Sequence, residues 1–500
     1  MRTSGMLLPI ASLPSAYGIG SFSKSGYDFV DILKASGQSY WQILPIGPTG
    51  FGDSPYQSVS TFAGNPYFID LDELIKEGLL TKEECMAVDF GKDNKKIDYE
   101  KIYKSRFILL NKAFQRSEHQ KDKNFLEFKE KNAYWLKDFT LYMAVKEHFH
   151  GRSFCDWDDG LNNYDIKNRE ISALLKYEEE LKVDIEFNEF IQYKFIQQWL
   201  KLKAYANDNG IKIIGDIPIY VAYDSADTWS NPKLFQLNDR KEPVAVAGCP
   251  PDAFAITGQL WGNPLYDWDY HRETGYEWWI KRIAYSFQLY DVVRVDHFRG
   301  FDEYYSIPYK DKTAEYGKWE KGPGYDLFQC LHNKLGNVDI IAEDLGFLTD
   351  SVIELVNKTG YPGMKVLEFA FDSREESDYL PHNYTKNCVV YTGTHDNDTI
   401  KGWYEVISNE DRAFSREYMN NHNTKLEDIH WDFIRLALQS VADTCIIPVQ
   451  DYLGLDSKSR INVPSTLGNN WCYRMEEGDF TKELTDKIYE ITKLYGRTKK

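Results

Sequence analysis

Four carboxylates stand at the ends of short apolar runs: Asp216 after residues 212–215, Asp296 after 292–295, Glu343 after 338–342 and Asp396 after 388–394. The run Val292-Val293-Arg294-Val295-Asp296 is the most telling. Side chains alternate along a strand, so Arg294 and Asp296 share a face. A strand this apolar is expected to be covered on both faces, as in a parallel sheet, with its charged end at a mouth. A guanidinium at hand keeps an acid ionised, and an ionised acid at such a mouth is a candidate nucleophile. Taken alone, the same pair is equally a buried structural ion pair. A lone strand-end acid often only caps the next helix, and Asp344 and Asp398 are expected to be caps of this kind. Four acids converging would repel one another, which is tolerated where repulsion tunes pKa values or a cation binds.

Two chemistries suit such a cluster. Glycoside cleavage needs one carboxylate as nucleophile and one protonated carboxyl as acid/base. A metal site needs carboxylates and often histidine, and His297 and His395 each adjoin an acid. Arg294 on the face of Asp296 opposes a metal cation, and strand alternation turns each histidine away from its neighbouring acid. Aromatic content favours sugar. Trp, Tyr and Phe make up 15% of the chain, and several stand in loops near strand ends: Tyr56, Trp229, Phe254, Trp261, Trp268 and Trp471. Aromatic faces cover the C–H faces of sugar rings while polar neighbours take the hydroxyls. Most of these rings are expected in the core. Trp261, flanked by turn residues between Gly258 and Pro264, is the one expected at a binding surface.

The elements that would position these groups alternate. Strands are expected at residues 40–46, 66–71, 212–218, 292–296, 338–344, 364–369, 388–396 and 444–450, with helical spacing between them, as over 351–358 and 429–441. Eight strands alternating with helices is the count of a (β/α)8 barrel, whose active sites lie at the C-terminal mouth of the strands. A doubly wound sheet is the structural rival. Residues 72–209, rich in Lys and Glu, read as a helical insertion between strands two and three. Residues 220–270, rich in Pro, Gly and Trp, read as a loop-rich insertion between strands three and four. The whole chain, 1–500, reads as one barrel domain without a C-terminal β-domain.

Composition sets bounds. A net charge of −18 argues against nucleic acid and against anionic membranes. Seven cysteines are scattered with no C-x-x-C pair, so neither a disulfide framework nor a zinc site is expected, and a reducing compartment is. No apolar run approaches the roughly 20 residues of a membrane helix, so a cytoplasmic protein is expected.

With these residues in place, the chain resembles the amylomaltases, 4-α-glucanotransferases also called disproportionating enzymes. The resemblance spans nearly the whole chain. It rests on Gly5-Met6-Leu7-Leu8, Gly52-Asp53-Ser54-Pro55-Tyr56-Gln57-Ser58, Gly215-Asp216-Ile217-Pro218, Pro250-Pro251-Asp252, Gly258-Gln259-Leu260-Trp261-Gly262-Asn263-Pro264, Arg294-Val295-Asp296-His297-Phe298-Arg299-Gly300, Ala342-Glu343-Asp344-Leu345-Gly346 and Thr394-His395-Asp396-Asn397. It implies a (β/α)8 barrel with insertions, no metal or cofactor, and α-glucan substrates such as maltodextrin, glycogen or starch fragments, with glucose as an acceptor. It implies Asp296 as the nucleophile, Glu343 as the general acid/base and Asp396 as the acid that grips the sugar 2- and 3-hydroxyls. Arg294 would hold Asp296 ionised. Tyr56, Asp216, Asp252, Trp261, His297, His395 and Asn470 are implied in binding. Residues 248–252 and 460–471 are implied as loops over the cleft. Phe51 stands where some members carry a Tyr in a second glucan site. An α-glucan hydrolase of the α-amylase type is the alternative activity.

Overall fold

In a computed structural model of the protein, the described residues are 2–50, 52–158, 166–251, 256–346 and 348–499. The strands in chain order are β1 (Thr3–Leu7), β2 (Tyr40–Gln42), β3 (Lys212–Ile217), β4 (Ala245–Cys249), β5 (Gln259–Pro264), β6 (Val292–Val295), β7 (Glu303–Pro308), β8 (Lys318–Lys321), β9 (Ile340–Ala342), β10 (Gly363–Val366), β11 (Cys388–Tyr391) and β12 (Thr444–Pro448). Eight of them form one sheet in the order β10-β11-β12-β1-β2-β3-β6-β9, every pairing parallel. Its two edges meet. The Ala342 N–H donates to the Pro362 carbonyl at 3.0 Å, and the Met364 N–H donates to Asp344 Oδ1 at 2.7 Å. The sheet is a (β/α)8 barrel rather than a doubly wound layer.

Alternation along the strands sorts the core into two shells. Leu7, Ile214, Val292, Ile341, Met364, Val366, Val389, Tyr391 and Ile446 fill the barrel. Their neighbours Met6, Ile213, Val293, Ile340, Val390 and Ile447 face outward into the helical layer. Gly215 leaves room for the Tyr290 ring, which a Cβ there would meet at 2.1 Å. The interior turns polar toward the C-terminal ends of the strands, where Tyr391 donates to Gln42 at 2.9 Å and Asp216 faces Arg294 across the β3–β6 ladder.

Two strand expectations are corrected. Residues 66–71 do not form a strand: Pro66–Phe68 is a 3-10 helix and Leu71–Lys76 an α-helix. The apolar run Tyr67-Phe68-Ile69 suggested a strand, but capping decides. Asn65 accepts the Tyr67 N–H with Pro66 at the first helical position, and Asp70 accepts from Asp72 and Glu73. The missing strand is β1, read as loop because Thr3, Ser4 and Gly5 break the apolar pattern. Gly5 is required there, since a Cβ would lie 2.6 Å from Tyr40 and 2.8 Å from Ile446 on the two flanking strands.

Every named element between β2 and β3 is helical, including Tyr99–Arg116, Lys123–His148 and Lys182–Asp208. Within residues 220–270, β4 and β5 join β7 and β8 in an antiparallel sheet in the order β5-β4-β7-β8. Its edge strand β5 carries Trp261 toward the barrel mouth. All seven cysteines are unbridged. Among the described residues no helix is long and apolar enough to cross a membrane.

Candidate active site

The site grows from the ladder between β3 and β6, in which Asp216 and Arg294 are partners. Arg294 NH1 donates to both oxygens of Asp216, at 2.8 and 2.7 Å, and to Asp296 Oδ1 at 3.1 Å. The Arg294 and Asp216 side chains are 4% and 0% exposed. Such burial is tolerable only because the charges neutralise each other. A guanidinium therefore occupies the centre of the acid cluster, where a metal cation would have to sit. Among the described residues no group of three His, Cys, Asp or Glu side chains is arranged to hold a metal.

Asp296 follows β6, and 28% of its side chain is open to the cleft. Burial raises its pKa, Arg294 opposes, and the carboxylates of Glu343, Asp216 and Asp396 add to the rise, which reaches about 7. Desolvation and three acidic neighbours thus act against the one cation that Asp296 shares with Asp216.

The chain then turns sharply. His297 adopts φ 50°, a left-handed conformation uncommon for a residue with a side chain. The turn aims the His297 N–H at Glu343 Oε2, 2.7 Å away, while the Leu345 N–H donates to Oε1 at 2.9 Å. The Phe298 N–H also reaches the Glu343 carbonyl at 3.0 Å. Glu343 is thus held on the adjoining strand end by backbone amides, whereas Asp296 is held by a cation. The His297 ring meets Trp261 edge-on at 4.9 Å, and its buried Nε2 has no hydrogen-bond partner among the described residues. Burial first, and Arg299 second, lower its pKa to about 3, so the ring is neutral.

The third acid stands across the mouth in the turn after β11. Asp396 accepts from Asn462 Nδ2 at 2.6 Å through Oδ1 and faces His395 Nε2 at 3.3 Å through Oδ2. Burial acts to raise its pKa, but His395 and Asn462 prevail and hold it at about 2. His395 is buried, which works against its charge, yet the Asp396 carboxylate raises its pKa overall. The His395 ring stacks on Tyr56 at 5.0 Å and 17°, and Trp471 packs against both. Tyr56 donates to Asp216 Oδ2 at 2.9 Å. One connected chain of contacts therefore runs from Asp396 through His395, Tyr56, Asp216 and Arg294 to Asp296, with Glu343 at the neighbouring strand end.

Not every expected residue reaches open space. Asp216 is fully buried, and its oxygens accept from Arg294 and Tyr56. The Asn470 amide braces its own loop, accepting the Val463 N–H at 3.0 Å and donating to Thr466 at 3.1 Å. Asp252, Phe254 and Phe51 lie outside the described residues. Trp229 and Trp268 are core residues, 2% and 7% exposed. Asp344 and Asp398 are not helix caps. Asp344 closes the β9–β10 seam, and Asp398 accepts from Thr399 and Ser457 while Thr399 caps the helix Ile400–Val406.

Sequence reasoning also passed over Glu368 and Asp451, which follow β10 and β12. Asp451 is buried and accepts from Thr392 at 2.5 Å and from the Ile400 N–H at 2.9 Å. The same strand-then-acid pattern would have found both.

A (β/α)8 barrel whose mouth gathers carboxylates around a buried guanidinium, walled by Tyr56, Trp261 and Trp471, defines a carbohydrate-active barrel enzyme. Comparison with known proteins narrows the class. The glycoside hydrolase family 77 model, described as 4-alpha-glucanotransferase, matches residues 8–481. The chain is 51% identical to a 4-alpha-glucanotransferase of Clostridium butyricum over 490 residues, 98% of this chain and 99% of that one. It is 42% identical to a 4-alpha-glucanotransferase of Thermus thermophilus over 491 residues, 96% of each chain. The structure of an amylomaltase from Streptococcus agalactiae in complex with acarbose superposes with a TM-score of 0.96 at 42% identity, covering 100% of both chains. The chain belongs to the 4-alpha-glucanotransferase family, and its activity is that glycosyltransfer. The α-amylase-type hydrolase alternative is not favoured.

Proposed function

We propose that Asp296, Glu343 and Asp396 carry a two-step retaining transfer of α-1,4-glucan segments. In the first step Glu343 protonates the leaving 4-oxygen while an Asp296 oxygen attacks the anomeric carbon, giving a covalent glucosyl-enzyme. In the second, the 4-hydroxyl of an acceptor glucan or glucose attacks that carbon, Glu343 removes the hydroxyl proton, and Asp296 leaves as a carboxylate. Asp396 grips the 2- and 3-hydroxyls and tightens its hold as charge develops on the ring.

The observation that carries this division of labour is the asymmetry of the two carboxyls. Arg294 donates to Asp296, the one cation that favours its ionised form against burial and the neighbouring acids. The Glu343 oxygens accept instead from the backbone N–H groups of His297 and Leu345, which fix the carboxyl at the neighbouring strand end. A value near 7 for Asp296 places its ionisation close to neutral pH. Asp216 then serves by holding Arg294 and Tyr56. Trp261, His297 and Tyr56 offer the aromatic and imidazole surfaces for a glucose ring, and His297 Nε2 is free to meet a hydroxyl. Asn470 belongs to the rim loop 460–471, which shields the intermediate from water so that transfer prevails over hydrolysis. Unbridged cysteines support a reducing, cytoplasmic setting.

Incubation with maltotriose, read by chromatography, tests the reading. Glucose and a ladder of longer maltodextrins, with little new reducing sugar, are expected. Net accumulation of reducing ends equal to the bonds cleaved would make the protein a hydrolase instead.

A further inference from the structure

Asp396 has 45% of its side chain open, against 28% for Asp296. Its orientation is set from outside its own turn. Arg460, at the root of the rim loop 460–471, donates from NH2 to the Asp396 carbonyl at 2.6 Å and from Nε to the Asn462 carbonyl at 2.7 Å. Asn462 answers with two bonds of its own. Its Nδ2 donates to Asp396 Oδ1 at 2.6 Å, and its N–H donates to the His395 carbonyl at 3.1 Å. Residues 460–462 and 395–396 therefore close a ring of hydrogen bonds that fixes both the Asp396 peptide and its carboxylate.

The turn is also pinned from beneath. Asn397 accepts through Oδ1 from the Thr394 N–H and hydroxyl, at 2.9 and 2.8 Å. Glu368 Oε1 fills the space where a Cβ on Gly393 would come within 2.7 Å. Asp398 and Asp451 crowd Glu368 with negative charge, and Arg460 offsets them. Arg460 thus stands between an acid group below and the carbonyls of Asp396 and Asn462 above.

We propose that Arg460 is a positioning residue for Asp396: it ties the rim loop to the turn that carries the acid, so that ordering the loop and aligning the carboxylate are one event. The same loop root bears on the cleft wall, since the Trp471 N–H donates to the Ile461 carbonyl at 2.6 Å and the Trp471 ring packs against His395. The inference rests on the role given to Asp396 above. A carboxylate that acts by tightening in the transition state shows its misalignment in kcat more than in KM. The fork matters as well as the charge: Nε and NH2 meet two carbonyls at once, which a lysine ammonium on a flexible stem does not reproduce.

The test uses the full chain carrying Arg460→Ala or Arg460→Lys, with kcat and KM for maltotriose disproportionation, the share of cleavage events ending in new reducing sugar, and thermal unfolding of each variant. Arg460→Ala is expected to lower kcat about 10- to 100-fold with KM within about threefold, and to raise the hydrolytic share. Arg460→Lys, which keeps the charge facing Glu368 and Asp398, is expected to fall between Arg460→Ala and the unmodified enzyme. A folded Arg460→Ala, or Arg460→Lys should the first not fold, with kcat within about twofold and an unchanged hydrolytic share overturns the proposal. Asp396→Asn separates the two ideas. If it retains full activity, the reading of Asp396 fails; if it is inactive while the Arg460 variants are unimpaired, only the present inference fails.

Discussion

Replacing Asp216 by Asn should move the acidic limb of the pH–activity profile downward. Asp216 and Asp296 accept from the same Arg294 nitrogen, at 2.7 and 3.1 Å. Their nearest oxygens therefore lie within about 6 Å of one another, and at an effective dielectric of about 20 the repulsion is roughly 3 kcal/mol. That corresponds to about 2 pKa units. Water reaches 28% of the Asp296 side chain and screens part of it, leaving a shift of about one unit. Asn keeps the shape of Asp216 and an oxygen for Arg294, while its amide can donate to the Tyr56 hydroxyl, so the fold is expected to survive. The sign follows from the role. A nucleophile must be deprotonated, so activity rises with pH through the pKa of Asp296, about 7 in the unmodified enzyme. Removing a neighbouring negative charge eases that ionisation and extends activity to lower pH. The assay is kcat/KM for maltotriose against pH, which reports the free enzyme. An acidic limb that stays in place or moves upward in a folded Asp216→Asn enzyme would refute the electrostatic account of Asp296.

Arg294→Met should move the same limb upward and leave buried Asp216 without its cation, a loss of about 3–5 kcal/mol measurable by denaturant unfolding. Trp261→Ala removes the ring that packs edge-on against His297, and should raise KM for maltotriose about 5- to 10-fold, for roughly 1 kcal/mol of lost aromatic contact. Gly363→Ala places a Cβ 2.3 Å from Asp344 Oδ2 at the barrel seam, and should cost about 1–3 kcal/mol of stability, seen as a lower Tm.

The parts of this molecule legible from the chain alone are those written in short-range pattern. Apolar runs ending in acid located β3, β6, β9 and β11 and the carboxylates at their ends, because in a parallel barrel strand order and mouth position follow from the run itself. Two strands went astray where short-range signals compete. Thr3-Ser4-Gly5 looks unlike a strand because Gly5 must fit between Tyr40 and Ile446, and Tyr67-Phe68-Ile69 looks like one until the Asn65 and Asp70 caps are weighed. Within the loop-rich insertion 220–270, β4 and β5 escape notice because Gly248 and Pro264 interrupt the alternation expected of strands. What no local pattern carries is pairing at long range. Arg460 meets Asp396 across 64 residues and Asn462 meets it across 66. Asp344 closes the seam to Met364 although its sequence position suggested a helix cap. The value for Asp296 likewise depends on how many acids share Arg294, which only the closed barrel determines.

The central claim, that Asp296 forms the covalent link, is tested most directly by trapping it. Glu343→Gln enzyme can be given a maltosyl donor whose leaving group is fluoride, which departs without a protonating acid. With the acid/base residue absent, the second step is slowed and the intermediate accumulates. Digestion and mass spectrometry should then place a maltosyl increment on the peptide containing Asp296, bound through its carboxylate. A label on Asp216 or Asp396, or fluoride release with no label on any carboxylate under conditions of single turnover, would contradict the account.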